Sequence, residues 1–280
     1  MSRIKAIFAR SPWIGQGNPE VTRHPLTPEQ LTQKLGQDPK SYYRNAEFER
    51  ICGEKYMAPL YDPATQRPSD AKVCADMFEY PNVPGMYPVV WVRANEAAEL
   101  CWAEGKRMGD AHEWEGASHG ALTPPDYFFG VSVQSARAAH NAKYASSARY
   151  SIGPNWQAGV CATNSFKNQT CNGGSFKGCG SNTYPAGSFP ACKSPLGVYD
   201  LDGNAAEHMN LPLSADQMAS RGSRKLGVTE MKGSWFIWDK VRAHTHWSRW
   251  RAPFWHGTRV MASNSHHNYH LGFRCFKDIR

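Results

Sequence analysis

The chain has 280 residues, 41% hydrophobic and 20% charged, with a formal charge of +8. That length can bury a full core in one large domain or two modest ones, and the composition excludes a disordered chain. Lys and Arg are scattered with no run longer than two, which argues against a nucleic-acid-binding stripe, and no stretch approaches the roughly 20 apolar residues of a membrane-spanning helix.

Residues 1–60 read as a preface. Thr27-Pro28-Glu29-Gln30 predicts a helix start, with Thr27 as N-cap, Pro28 at the first helical position and Gln30 closing a capping box. A second helical stretch is predicted from Ser41 to about Cys52, and Pro and Asp break the chain at 59–69. PVVWV (88–92) is β-branched and aromatic and predicts a buried strand. Asn95 then caps a helix over EAAELCWAE, stopped by Gly105, and Asp110 with Glu113 predicts a capping box for a helix over HEWEGA. Between 150 and 195 periodicity fades into Gly, Asn, Ser, Pro and Cys, so this region needs an external tie such as disulfides or a bound ion. Residues 228–240 return to strand-like character, and 266–276 predict a final short strand.

The eight cysteines include no CxxC pair, which argues against a zinc ribbon. An even count with four clustered in 161–192 reads as a disulfide framework in an oxidising compartment, the alternative being reduced thiols. Eight cysteines allow roughly a hundred connectivities, so their number chooses none. The start, MSRIKAIFAR, has no apolar core of a signal peptide, so a periplasmic or secreted location implies a leader not present in this chain.

Three stretches carry chemistry. In GVYDLDGNAAEHM (197–209), Asp200, Asp202, Asn204 and Glu207 crowd around Gly203. An EF-hand is excluded, because the glycine and glutamate come too early in the loop, but the oxygens suit calcium; the alternative is a solvated acidic turn. RAHTHWSRWRAPFWH (242–256) and NSHHNYH (264–270) supply His244, His246, His256, His266, His267 and His270, with His208 beside the acidic loop. On a strand His244 and His246 point to one face, and such a pair with a third imidazole can hold copper, iron or zinc. Trp235, Trp238, Trp247, Trp250 and Trp255 with Arg249 and Arg251 equally suit a stacking site for a planar or anionic ligand. GASHG (116–120) fits the G-x-S-x-G nucleophile elbow, but a helix precedes it where the elbow needs a strand. Asn168-Gln169-Thr170 is a glycosylation triplet.

FEYPNVPG (78–85), AAELCWAEGKRMGDAHEWEGA (97–117), SPLGVYDLDGNAAEHM (194–209), KGSW (232–235) and LGFRC (271–275) follow one another in an order that resembles the formylglycine-generating-enzyme, or sulfatase-modifying-factor, family. The resemblance covers about 71–280 and leaves 1–70 as an N-terminal extension packed on the core. It implies an α+β variant of the C-type-lectin fold with little regular structure, stabilised by disulfides and calcium. It implies a Cys101–Cys275 disulfide, from which Cys52–Cys74 follows as plausible and the four cysteines of 161–192 pair among themselves. It implies calcium held by Asp200 and Glu207 side chains and by the carbonyls of Gly203 and Ala205, with Asn172 as candidate for a second site.

The resemblance also fails at one place. The family's copper(I) thiolates fall, by ungapped alignment from Gly233-Ser234, on Ile237 and Arg242, and no cysteine occurs between Cys192 and Cys275. Formylglycine generation by two-thiolate copper is therefore not expected. Other branches of the family include histidine-ligated iron sulfoxide synthases, whose H-x3-H-x-E motif is absent here, a periplasmic protein that oxidises a siderophore chromophore, and non-enzymatic lectin-like receptors. The expectation is an extracytoplasmic oxidase-type enzyme for a peptide or small peptide-derived substrate, with His244 and His246 as metal ligands or acid–base groups, Ser234 and Trp235 shaping the pocket, and copper or iron as the redox metal. The alternative is a calcium-stabilised binding module.

Overall fold

The computed structural model describes residues 2–17, 20–169, 171, 174–241, 246–252 and 257–279. The N-terminal part is helical: α1 (Arg3–Arg10), α2 (Pro28–Leu35), α3 (Pro39–Tyr42) and α4 (Ala46–Cys52). The capping box predicted for α2 is formed in both directions, Gln30 N–H to Thr27 Oγ1 at 3.2 Å and Thr27 N–H to Gln30 Oε1 at 2.8 Å. The single helix expected from Ser41 to Cys52 is two helices. Asn45 breaks the run, and its side chain caps α4 by accepting from Phe48 N–H at 3.0 Å.

Two sheets follow. β1 (Met57–Leu60), β2 (Val73–Asp76), β3 (Arg107–Met108) and β7 (Cys275–Asp278) form an antiparallel sheet in the order β1-β2-β7-β3. β1 lies before residue 70 and pairs with β2 after it, Met57 opposite Asp76. β4 (Ala206–Leu211) is the centre of the second sheet, antiparallel to β5 (Val228–Lys232) and parallel to β6 (Leu271–Gly272). The predicted final strand is thus two strands in two sheets, linked through Phe273 and Arg274. The predicted strand at 228–240 ends at Lys232, and Trp238–Val241 form the short helix α9.

Residues 88–92 are buried but not a strand. Val90 makes one antiparallel bridge to Gly15, and Trp91 sits at φ 58°, which turns the backbone out of extension. α5 (Ala94–Ala103) starts after Arg93, two residues earlier than an Asn95 cap would place it, because Glu96 accepts from the Arg93 N–H at 2.9 Å. α1 packs on α5 through Ile7, in a cluster with Ala97, Leu100 and Phe273. α6 (Ala111–His119) buries nearly its whole length, and Glu113 accepts from the Asp110 N–H at 2.9 Å as predicted. It carries the GASHG stretch as helix, with Ser118 Oγ buried against Ser248 Oγ at 2.8 Å, so no nucleophile elbow exists there. Beyond it come α7 (Val133–Tyr144) and the short α8 (Phe176–Cys179) in the irregular region.

All eight cysteines are paired: Cys52–Cys74, Cys101–Cys275, Cys161–Cys192 and Cys171–Cys179. The last two supply the tie that the aperiodic 150–195 region needs. Among the described residues no helix is long and apolar enough to cross a membrane.

Candidate functional site

Three side-chain groups gather around the second sheet. The first is the acidic loop that leads into β4. Asp200 and Asn204 take left-handed backbone conformations, φ 59° and 61°, which asparagine and aspartate tolerate better than most residues. Between them Gly203 passes so close to Ala162 that an added Cβ would lie 2.9 Å from its nitrogen. Asn204 pins the turn by accepting from Tyr184 N–H at 2.8 Å and donating to Tyr184 O at 3.2 Å. The turn therefore carries its acids inward: Asp200, Asp202 and Glu207 are all buried, and the solvated acidic turn is excluded.

Glu207 accepts Trp114 Nε1–H at 2.8 Å and Arg274 at 2.7 and 2.6 Å. Asp200 Oδ2 accepts from Gly187 N–H at 2.8 Å, while Oδ1 has no partner. Glu79, from the FEYPNVPG stretch, points into the same place: Oε1 accepts from Ala205 N–H at 3.1 Å and Oε2 has no partner. Burial pushes the Asp200 carboxyl up to about 7, with the Glu207 charge adding to it, and burial followed by the Asp200 charge raises Glu79 well above the carboxylate range. Three buried carboxylates thus face one guanidinium. Two buried carboxyl oxygens without donors, beside a turn with carbonyls at 203 and 205, fit a hard divalent cation of the calcium type, which would favour their ionised form. Asn172, the candidate for a second site, lies outside the described residues.

The second group is a charged network under α6. Glu115 receives Lys232 Nζ at 2.9 Å and Arg251 Nε at 2.9 Å. His140 stands 3.6 Å from Glu115 and 3.1 Å from Asp126. Glu115, Asp126 and His140 are the one trio among the described residues with ligand atoms close enough, within 4.8 Å, to share a metal ion. Its donor set suits an ion poorly. Lys232 and Arg251 already occupy Glu115, and His140 directs one ring nitrogen to the Arg249 carbonyl at 2.7 Å and the other to Asp126. The two cations hold the Glu115 carboxyl far below its usual range despite burial.

The third group is aromatic. Trp235 takes His270 on its face, ring centres 4.9 Å apart at 26°, and His246 edge-on at 5.6 Å. His246 also meets Trp238 at 4.9 Å and Trp250 at 5.1 Å. Both imidazoles are buried. Ser234, bridged to Asp202 through the backbone, is buried with Oγ lacking a partner. The wall continues through Tyr269 and Phe236 to Lys167, whose ammonium lies 5.1 Å from the Tyr269 ring. Lys167, Asn168 and Asn182 in turn line a cleft of 640 Å³ with Glu20, Arg23 and Phe166.

The seven candidate histidines separate. His246 and His270 meet at Trp235. His208 directs Nε2 to the Val92 carbonyl at 3.1 Å, and burial, with His266 and His267 nearby, lowers it to about 3. His267 stacks on Trp13 at 4.4 Å. His244 and His256 lie outside the described residues, so the His244–His246 pair is not defined by the structure. Arg251 serves Glu115 rather than a ligand surface, and Ile237, to which the ungapped alignment assigns a copper cysteine, is buried. Sequence reasoning missed Glu79, Glu115, Lys232, Asp126 and His140. Glu79 had one signal, a carboxylate set between two aromatics in an apolar run.

The sulfatase-modifying factor enzyme 1-like domain of the FGE-sulfatase family matches residues 41–279. The chain belongs to the formylglycine-generating-enzyme family. The family match begins before residue 70 and takes in β1. Among solved structures, it is similar to PvdO from Pseudomonas aeruginosa, with 15% identity over 80% of this chain and 91% of that one and a TM-score of 0.37. It is similar to CarF, with 14% identity over 80% and 96% and a TM-score of 0.39. It is also similar to a Major Tropism Determinant I1 variant, with 15% identity over 82% and 47% and a TM-score of 0.31. Likenesses this distant carry nothing about activity. No curated protein sequence matches the chain. Within the family this member has no free thiol, since all eight cysteines are in disulfides.

Proposed function

We propose that this chain is an extracytoplasmic member of the formylglycine-generating-enzyme family that oxidises a peptide or peptide-derived metabolite without the two-thiolate copper site. The observation that carries the reading is the buried pair His246 and His270 on Trp235, beside Ser234, in the segment after the G-S-W motif. Two imidazoles against an indole wall supply proton acceptors and a surface for a planar group. The adjoining cleft, lined by Glu20, Arg23, Lys167, Asn168 and Asn182, offers charged and amide partners suited to a peptide backbone. Dioxygen is the proposed oxidant. Copper or iron held by imidazoles, His244 and His246 among them, would supply the redox chemistry, and a calcium ion at the 200–207 loop is structural. Four disulfides support a periplasmic or secreted location.

The test is oxygen uptake with a peptide mixture, paired with elemental analysis of protein purified without a His-tag. Calcium with near-stoichiometric copper or iron, and uptake lost in His246→Ala and His270→Ala variants that melt like the parent, supports an oxidase. Calcium alone after incubation with copper(I) and iron(II), with no uptake, overturns it. The aromatic wall itself favours a second reading, a calcium-stabilised binding module. That module predicts graded affinity losses on replacing Trp235, Trp238 or Trp250 and no turnover.

A further inference from the structure

The hydrogen bonds of Arg274 show which acids it can serve. A guanidinium has five N–H donors. Arg274 uses Nε on Glu207 Oε2, one terminal nitrogen on the carbonyls of Asp76 and Met77, and the other on Tyr199 O and Glu207 Oε1. All five are taken, and none reaches Glu79 or Asp200. Each of those carboxylates is fully buried, keeps one oxygen without a partner, and has no ion pair among the described residues. A buried carboxylate oxygen without a donor is costly, and two around one turn more so, unless a cation satisfies them.

We infer that Glu79, which the family resemblance does not supply as a ligand, is a further anionic ligand of the structural cation at the 200–207 turn, on the side of Asp200, while the Glu207 carboxylate also serves Arg274. This rests on the reading that the turn holds calcium. The fold brings Glu79 there directly: the Tyr80 N–H is held by Phe273 O at 2.7 Å, two residues before the β7 sheet strand begins, and Glu79 Oε1 takes the amide of Ala205. With Asp200 fixed from the other side by Gly187 N–H, the two unpartnered oxygens and the local carbonyls form an oxygen-only set, which selects a hard cation over a soft one.

The experiment uses the full chain, with calcium as the probe. Calcium affinity is measured by titration into chelator-treated protein, and melting temperature is measured in calcium and in EDTA, for the parent, Glu79→Gln and Asp200→Asn. Both variants should bind calcium roughly tenfold or more weakly, since ligand charge count sets affinity in such sites. In EDTA, Glu79→Gln should melt at or above the parent, because it removes a buried carboxyl that has no partner for one oxygen; a purely structural Glu79 would instead lower melting in both conditions. Parent-like calcium affinity in Glu79→Gln overturns the assignment and leaves the calcium reading intact. A parent that binds no calcium and melts alike in EDTA overturns both. If Glu79→Gln does not fold, Glu79→Asp is measured instead. It keeps the charge with a shorter reach, weakened calcium binding supports the assignment, and unchanged affinity overturns it.

Discussion

Trp114, Glu207 and Arg274 meet in the core with every polar atom engaged, and such a group is costly to break from one side. Arg274→Met leaves the Glu207 charge buried with the Trp114 N–H as its remaining described donor. The expected loss, read from urea unfolding midpoints, is about 3–5 kcal/mol. Trp114→Phe keeps most of the packing and loses one hydrogen bond to a charged group, for an expected loss of about 1.5–3 kcal/mol. His208 sets a pH dependence. Its folded value of about 3 lies below the ordinary 6.5, so as pH falls below 6.5 the unfolded chain takes a proton that the folded chain refuses. Stability from this group is complete above pH 6.5 and declines toward pH 3. Asp202, raised by burial to about 6 from 3.8, acts with the opposite sign between those values. The clean measurement is therefore the difference between the parent and His208→Gln, whose amide can still donate to Val92 O. The variant should show the shallower fall between pH 6.5 and 4. At this scale Asp200 and Glu207 were legible, because the motif puts acids at fixed steps around a glycine. Glu79 was not, because its place depends on the pairing of Tyr80 with Phe273, almost two hundred residues away in the chain.

α6 presents consecutive residues to two different centres: Trp114 to Glu207, and Glu115 to Lys232 and Arg251. One helix thereby couples the acidic loop to the charged network beneath β5. Glu115→Gln strips Lys232 and Arg251 of their shared carboxylate and is expected to cost on the order of 3–5 kcal/mol. Any calcium affinity of the acidic loop should stay unchanged, since Glu115 pairs with Lys232, Arg251 and His140 and, among the described residues, makes no hydrogen bond to the proposed ligands; chemical denaturation with and without calcium checks both. The start of the helix was readable in advance because Asp110 and Glu113 mark it locally. The network was not, since Glu115, Lys232 and Arg251 come from three separate segments and look like ordinary surface charges one at a time. The buried stretch 88–92 shows the opposite failure. Its β-branched and aromatic residues read as a strand, but Trp91 turns into a left-handed conformation to send its indole N–H to Gly180 O at 2.9 Å, a tertiary demand that overrides local propensity.

Across the whole molecule the four disulfides differ sharply in the chain they close. Cys101–Cys275 spans 174 residues and Cys171–Cys179 only 8. The loop-entropy model gives roughly 5 kcal/mol for the first and roughly 2.5 for the second. Replacing the Cys101–Cys275 pair by alanines should therefore lower the unfolding midpoint about twice as far as replacing the Cys171–Cys179 pair. That long disulfide fastens β7, which lies inside its sheet between β2 and β3. The strand order has a consequence for biosynthesis. While residues 275–278 are still to be made or delivered, β2 and β3 each keep an open edge and Cys101 remains a thiol. Partial products thus carry aggregation-prone edges and a reactive sulfur together, and closure of the sheet and oxidation of that sulfur become one event that waits for residues 275–278.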